Sequence, residues 1–116
     1  IDFDADAITS AQECAALNGL TAAINIRHVD LERESAVRGE SFSVILANLT
    51  GGMLVRMASR LCRLTNPGGT LIVSGVTRDE EGAVTRAFQT AGATLATRLV
   101  EDLDPEWVGL RFNTVR

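Results

Sequence analysis

Cysteine and histidine are scarce in these 116 residues: there are two cysteines and one histidine. Cys14 and Cys62 stand alone, with no second cysteine and no histidine at metal-ligand spacing, so no zinc site is indicated. A reducing, cytosolic setting is the simplest reading of that usage. Long apolar runs are missing too. Val44–Ala47 and Thr70–Val73 are strand-sized, far short of the roughly 20 residues a membrane helix needs. Eleven basic residues face fifteen acidic ones for a formal net charge of −4, and no basic stripe gathers among them. A nucleic-acid footprint is therefore absent from these residues. Internal repeats, low-complexity segments and signal-like or transit-like stretches are likewise not seen, and the sequence opens on Ile-Asp-Phe-Asp without an initiator methionine.

What remains is an ordinary globular composition, 46% hydrophobic and 22% charged, in a length that fits one domain. Ile1–Phe3 reads as the end of a strand. A helix over about Ala5–Asn18 follows, with Asp4 as its N-cap and Asp6 in the first turn, where the helix dipole favours acids. Its stripe is Ala7, Ile8, Ala11, Cys14, Ala15 and Leu17, and Gly19 suits the left-handed stop. Ala23–Val29 is expected as a strand, followed by a polar stretch from Asp30 to Glu40. Phe42–Ala47 is a continuous apolar run of the kind buried on both faces of a sheet. Met53–Leu64 is an amphipathic helix, Asn66-Pro67-Gly68-Gly69 a turn, and Thr70–Ser74 another buried strand. Asp79–Ala91 forms a further helix, with Ala83, Val84, Ala87 and Phe88 as its stripe. Thr94–Val100 and Trp107–Asn113 are two late strands joined by an acidic loop.

Strands that alternate with helices predict an α/β fold, a doubly wound and mostly parallel sheet. The last two strands have no helix between them and are expected to form an antiparallel hairpin at one edge. In such sheets ligands bind beyond the carboxyl ends of the strands. The readable ends are Asp2-Phe3-Asp4, Asp30, Asn48-Leu49-Thr50 and Ser74-Gly75. A carboxylate just past a strand offers two acceptor oxygens to the two hydroxyls of a ribose, which makes Asp2 the candidate ligand. Asp4 is better explained as the helix cap.

These residues carry a resemblance. Ile1-Asp2-Phe3-Asp4-Ala5-Asp6-Ala7-Ile8, with Ala15 and Asn18-Gly19, resembles the ribose-binding segment of class I methyltransferases. Val44-Ile45-Leu46-Ala47-Asn48-Leu49 with Gly52, then Leu64, Pro67-Gly68-Gly69 and Leu71-Ile72-Val73-Ser74-Gly75, resemble segments of the ribosomal protein methyltransferases called PrmA. Glu106-Trp107-Val108 is similar to that family's late strand. The likeness spans nearly the whole chain in order and spacing. Pro-Gly-Gly before a strand is common to many class I methyltransferases, whereas Ala47-Asn48 together with Ser74-Gly75 and Glu106-Trp107-Val108 narrows the match.

The resemblance implies an N-methyltransferase that uses S-adenosyl-L-methionine and acts on amino groups of protein eleven of the large ribosomal subunit, in the cytoplasm. Its partner would be a ribosomal protein substrate, with neither direct nucleic-acid binding nor a membrane involved. By the same resemblance Asp2 matches the acid that binds the adenosine ribose, and Asp30 the acidic position near the adenine. Asn48 matches the asparagine at the catalytic strand end, contacting cofactor and incoming amine. Three departures cost the chemistry nothing. Ala5 and Met53 stand where proline is usual, all of them compatible with a helix start, and Ser43 replaces an acid. The family's glycine-rich cofactor loop and the strand before it are not found, and neither Gly51-Gly52 nor Gly68-Gly69 fits that role. Residues 1–116 are thus expected to be a partial methyltransferase domain from a longer chain, lacking a first strand that would lie inside the sheet. Two other readings stay open: a methyltransferase for small molecules or nucleic acid, and a methyltransferase-like module that binds a partner without catalysis.

The remaining conspicuous residues have plainer explanations. His28, a lone polar residue on an expected strand, reads as solvated or locally bonded. Cys14 and Cys62 read as small core residues, and Trp107 as sheet packing. The Asp102–Glu106 cluster reads as a solvated loop.

Overall fold

The computed structural model describes residues 1–33 and 37–115. The chain divides into two compact units, Ile1–Arg38 and Gly39–Arg116.

In the first unit, helix α1 spans Ala5–Leu17. Asp4 is its N-cap, in extended backbone, and its Oδ1 accepts the Asp6 N–H at 2.9 Å. The helix stops at Asn18, and Gly19 takes the left-handed conformation at φ 66°. The expected strand at Ala23–Val29 does not form. Leu20 instead closes a turn, its carbonyl accepting from the Ala23 and Ile24 N–H groups at 2.9 and 3.1 Å. Only a single parallel bridge joins Asp2 and His28. Cys14 is exposed, against the expectation that it packs in a core. Ala15 is the buried residue of α1, and Leu17 at its end is 87% exposed. Of the polar stretch from Asp30 to Glu40, residues 34–36 lie outside the described residues.

The second unit holds β1 (Phe42–Asn48), α2 (Gly51–Leu64), β2 (Thr65–Thr77), α3 (Arg78–Thr90), β3 (Ala93–Val100) and β4 (Trp107–Thr114). The strand order is β1-β2-β4-β3. β1 and β2 run parallel, with α2 as the crossover between them. β4 lies antiparallel to both β2 and β3, so the late hairpin forms as expected with β3 at the edge. The order is α/β, as the alternating pattern predicts, but the sheet among the described residues is mixed and not mostly parallel, because β4 inserts antiparallel between β2 and β3.

One face of that sheet carries the core. Ala47, Leu71, Val73, Val76, Val108, Leu110 and Phe112 alternate toward it and are buried together with Leu54, Met57, Ala58 and Leu61 of α2 and Val84 and Phe88 of α3. Phe88 stacks on Phe112 with ring centroids 4.9 Å apart, fixing α3 against β4. On the opposite face Leu46 is 74% exposed and Val44 57%. The two-sided burial expected of Phe42–Ala47 is therefore not what the described residues show. A continuous apolar run records what each face can bury, while exposure depends on which face is covered. Cys62 is buried as expected, and burial pushes its thiol pKa up.

The Asn66-Pro67-Gly68-Gly69 turn lies inside the bounds of β2, as an excursion between the pairs Phe42↔Thr65 and Val44↔Thr70. A side chain at Gly69 would have nowhere to go, since its Cβ would lie 2.7 Å from the Thr65 methyl and 2.9 Å from the Ser43 carbonyl oxygen. The buried Thr114 hydroxyl donates to the Asn66 carbonyl at 2.7 Å and ties the excursion to β4.

Across the sheet edge, the Arg98 guanidinium of β3 grips the Glu81 carboxylate of α3 with two N–H donors, the second at 3.0 Å. That hydrogen bonding, with the Arg98 and Arg78 charges, holds the Glu81 carboxyl below its ordinary range. A carboxylate whose folded pKa is depressed stabilises the fold above its unfolded pKa, and loses that contribution as pH falls through the depressed value. Glu81→Gln is thus expected to lower the thermal midpoint slightly at about pH 7, and by less at an acid pH below the depressed value, where the wild-type carboxyl is protonated as well. An equal difference at both pH values would show that the pair's charge does not stabilise the fold.

Candidate functional site

The carboxyl ends of β1 and β2 stand side by side because the two strands run parallel, with Asn48 opposite Ser74. Beyond Asn48 the chain turns at once into α2. Thr50, in extended backbone at φ −65° and ψ 154°, caps the helix, and its hydroxyl oxygen accepts the Met53 N–H at 3.3 Å. This cap fixes Leu49 as the single residue between strand end and helix cap, so its carbonyl is held at the mouth of β1.

β2 is irregular at the same level. Its register with β4 shifts between Val73 and Val76, and within that shift Gly75 adopts φ 81°, a region in which only glycine is comfortable. A Cβ on Gly75 would lie 2.6 Å from the Leu49 carbonyl oxygen and 2.9 Å from Asn48 Oδ1. Two oxygen acceptors, one from a side chain and one from the backbone, are thereby gathered against the bare face of one glycine. Asn48 itself is exposed. An exposed pair of neutral acceptors suits the capture and orientation of an N–H donor. It offers no base strong enough to remove a proton from one.

The floor beside it is built from α3. The Glu80 carboxylate reaches back to accept the Thr77 N–H at 3.0 Å, half of a capping box. The same carboxyl group occupies the space a Gly51 side chain would need, with Glu80 Cδ and Oε2 each 2.6 Å from the site of that Cβ. Glu80 therefore locks the first turn of α3 and sits against the first residue of α2. Trp107 pairs with Thr77 at this end of the sheet, and the Arg78 N–H donates to the Glu106 carbonyl at 2.9 Å. Trp107 is 48% exposed, so its ring is not consumed by sheet packing as the sequence suggested.

In the first unit, Asp2 sits at the end of its short bridge, exposed, with Oδ1 accepting the Asp4 N–H at 2.9 Å. That hydrogen bond fixes the carboxylate and leaves further lone pairs able to accept a diol. Asp30 is also exposed. Its Oδ1 accepts the Glu32 N–H at 3.0 Å, and Oδ2 lies 3.8 Å from Arg33 Nε. His28 is locally bonded, Nε2 donating to the Phe3 carbonyl at 2.7 Å in the tautomer that carries the proton there. It steadies the backbone beside Asp2 and takes no visible part in chemistry.

Sequence reasoning picked out Asn48 and the Ser74-Gly75 strand end but missed two contributions. The steric one of Gly75 leaves no trace in composition or periodicity. Glu80 was legible: Thr77-Arg78-Asp79-Glu80 ahead of an apolar stripe is a capping-box pattern.

Solved structures place this architecture in a class. A ribosomal protein L11 methylase from Lactobacillus delbrueckii subsp. bulgaricus superposes with a TM-score of 0.85 at 23% identity, over 99% of this chain and 56% of that one. The fibrillarin pre-rRNA processing protein of Methanococcus jannaschii matches with a TM-score of 0.80 at 9% identity, over 97% of this chain and 54% of its own. The fold is that of the class I methyltransferases. Sequence then narrows the class. A ribosomal protein L11 methyltransferase of Geobacter metallireducens is 40% identical over 111 residues, which are 96% of this chain and 34% of the relative. The family profile described as "Ribosomal protein L11 methyltransferase (PrmA)" matches residues 1–114, and the chain belongs to that family. It spans about a third of the length of the curated relatives it matches.

Proposed function

We propose that the protein containing these residues is an S-adenosylmethionine-dependent N-methyltransferase. Its substrates are amino groups of ribosomal protein L11, it works in the cytoplasm, and residues 1–116 form part of its catalytic domain. The observation that carries the reading is the pairing of Asn48 Oδ1 with the Leu49 carbonyl at the open end of β1. Names of the relatives supply the substrate, and the acceptor pair supplies the chemistry. When bound, the cofactor provides an electrophilic methyl on a sulfonium sulfur.

The task left to the protein is placement. Asn48 accepts a hydrogen bond from the incoming amine, which turns the nitrogen lone pair along the line of transfer. In-line orientation of this kind is a large source of rate in a bimolecular step. The amine has to be neutral when it reacts. The acceptors here carry no formal charge and so do not favour an ammonium as a carboxylate would. Asp2 would hold the adenosine ribose through its hydroxyls, and Asp30 would stand on the adenine side.

The residues fit that cofactor: the Asp2 carboxylate is exposed and pinned by the Asp4 N–H. Asp2→Ala in the whole protein is expected to raise the dissociation constant for S-adenosylmethionine by about 10- to 100-fold, since hydrogen bonds to a charged group contribute about 1.5–3 kcal/mol. Titration calorimetry reads this directly. Asp2→Asn is expected to retain part of the affinity, because the amide oxygen still accepts one hydroxyl. Wild-type affinity in Asp2→Ala would remove Asp2 from the site.

A further inference from the structure

Glycine at the end of β2 does more than permit a turn. Within the register shift between Val73 and Val76, the backbone of Gly75 lies against the end of β1. There its Cα faces the Leu49 carbonyl and the Asn48 carboxamide so closely that a single added carbon would stand 2.6 and 2.9 Å from their oxygens. Ordinary van der Waals contact begins at 3.4 Å. An alanine would thus drive the Leu49 carbonyl back by about 0.8 Å and Asn48 Oδ1 by about 0.5 Å, or rotate the amide away. The Leu49 carbonyl has little freedom to retreat, because Thr50 next to it is pinned as the cap of α2. The Asn48 side chain is exposed and free to swing. The added carbon therefore strains the Leu49 carbonyl and turns the carboxamide out of its place beside it.

We propose that Gly75 is a positioning residue for methyl transfer: its missing side chain is the space in which the Asn48 amide oxygen and the Leu49 carbonyl stand together as one acceptor pair. The proposal rests on the reading of Asn48 as the group that receives the substrate amine. Gly75 acts through that pair and does not itself touch the reacting atoms. It sets where the amine nitrogen is held, whereas binding of the adenosine moiety belongs to Asp2.

The fold contains its own control. Gly68 lies in the same strand, at φ 75° against 81° for Gly75, and a Cβ there meets nothing within 4 Å. Gly68→Ala and Gly75→Ala thus impose the same backbone strain, and only the second adds the collision. In the whole protein, Gly75→Ala is expected to lower kcat about 100-fold, the scale on which an ångström of misplacement acts. Its dissociation constant for S-adenosylmethionine should stay within about threefold of wild type, the cofactor being held elsewhere. Gly68→Ala is expected to retain kcat within about threefold, as only backbone strain is added.

A double-mutant cycle separates this role from a merely structural one. In an Asn48→Ala background the added methyl no longer displaces an amide, so Gly75→Ala should cost at most about tenfold more, well short of additivity. Three results overturn the proposal: Gly75→Ala matching Gly68→Ala in kcat, full additivity in the cycle, or loss of cofactor binding equal to the loss of kcat. If Gly75→Ala is recovered unfolded while Gly68→Ala folds, the collision acts on the fold and not on the placement of the amine, and the proposal is overturned. Failure of the underlying reading looks different, because Asn48→Ala alone would then leave transfer intact.

Discussion

Replacement of Asn48 by alanine in the whole protein is expected to lower kcat for methyl transfer by about 10²- to 10³-fold, the usual effect of removing one preorganised hydrogen-bonding group that orients a reacting atom. The affinity for S-adenosylmethionine should change by no more than about threefold, since the ribose and adenine contacts are proposed for Asp2 and Asp30. The argument is geometric. Asn48 ends β1 opposite Ser74, and the absence of a side chain at Gly75 leaves its Oδ1 room beside the Leu49 carbonyl. Removing the carboxamide leaves one acceptor where there were two, and the amine is no longer constrained in direction. Asn48→Asp discriminates further. It keeps the acceptor and adds a charge, which stabilises the ammonium form of the substrate, so its pH–rate profile should shift toward alkaline pH. Activity of Asn48→Ala equal to wild type, measured by transfer of a labelled methyl, would contradict the assignment.

The largest expected loss of stability lies at Phe88. Its ring is fully buried, stacks on Phe112 at 4.9 Å, and fixes α3 on the sheet that carries the acceptor pair. Phe88→Ala should cost about 3–5 kcal/mol, the sum of lost transfer free energy and an unfilled cavity. Two neighbouring features keep the site from relaxing into that cavity. Val84 one turn earlier is itself fully buried, and the Arg98–Glu81 pair ties the same helix to β3. Amide hydrogen exchange reads the loss locally. Protection in β4, over Trp107–Thr114, is expected to fall by about two to three and a half orders of magnitude, which is the same free energy expressed as a ratio. Phe88→Leu should recover more than half of it. Unchanged protection in β4 would mean that α3 is not what holds the sheet together.

Much of this architecture was legible in the chain before any coordinates. Met53–Leu64 and Asp79–Ala91 announce helices because their apolar residues recur at the helical period, and they form almost where expected, as Gly51–Leu64 and Arg78–Thr90. The late hairpin followed from two apolar stretches with no helix between them. Ala23–Val29 failed because strand propensity needs a partner ladder, and Asp2 supplies a single bridge. Cys14 failed because α1 buries little besides Ala15, so its apolar spacing found no surface to pack on. In the site, Asn48 was legible as a strand-end residue inside a recognisable pattern. What Gly75 does was not. A steric exclusion is a property of two segments some 26 residues apart in the chain, and sequence periodicity reports only on neighbours along one element.

The central claim is that the end of β1 delivers an amine of a ribosomal protein to the methyl of S-adenosylmethionine. It is tested most directly by incubating the whole protein with S-adenosylmethionine carrying a labelled methyl and ribosomal protein L11, with ribosomal RNA and small amines offered in parallel. The account predicts label on amino groups of L11, at the same sites in repeated turnovers, and none when Asn48 is alanine. Cofactor binding without transfer, or label entering only RNA or small amines, would contradict it.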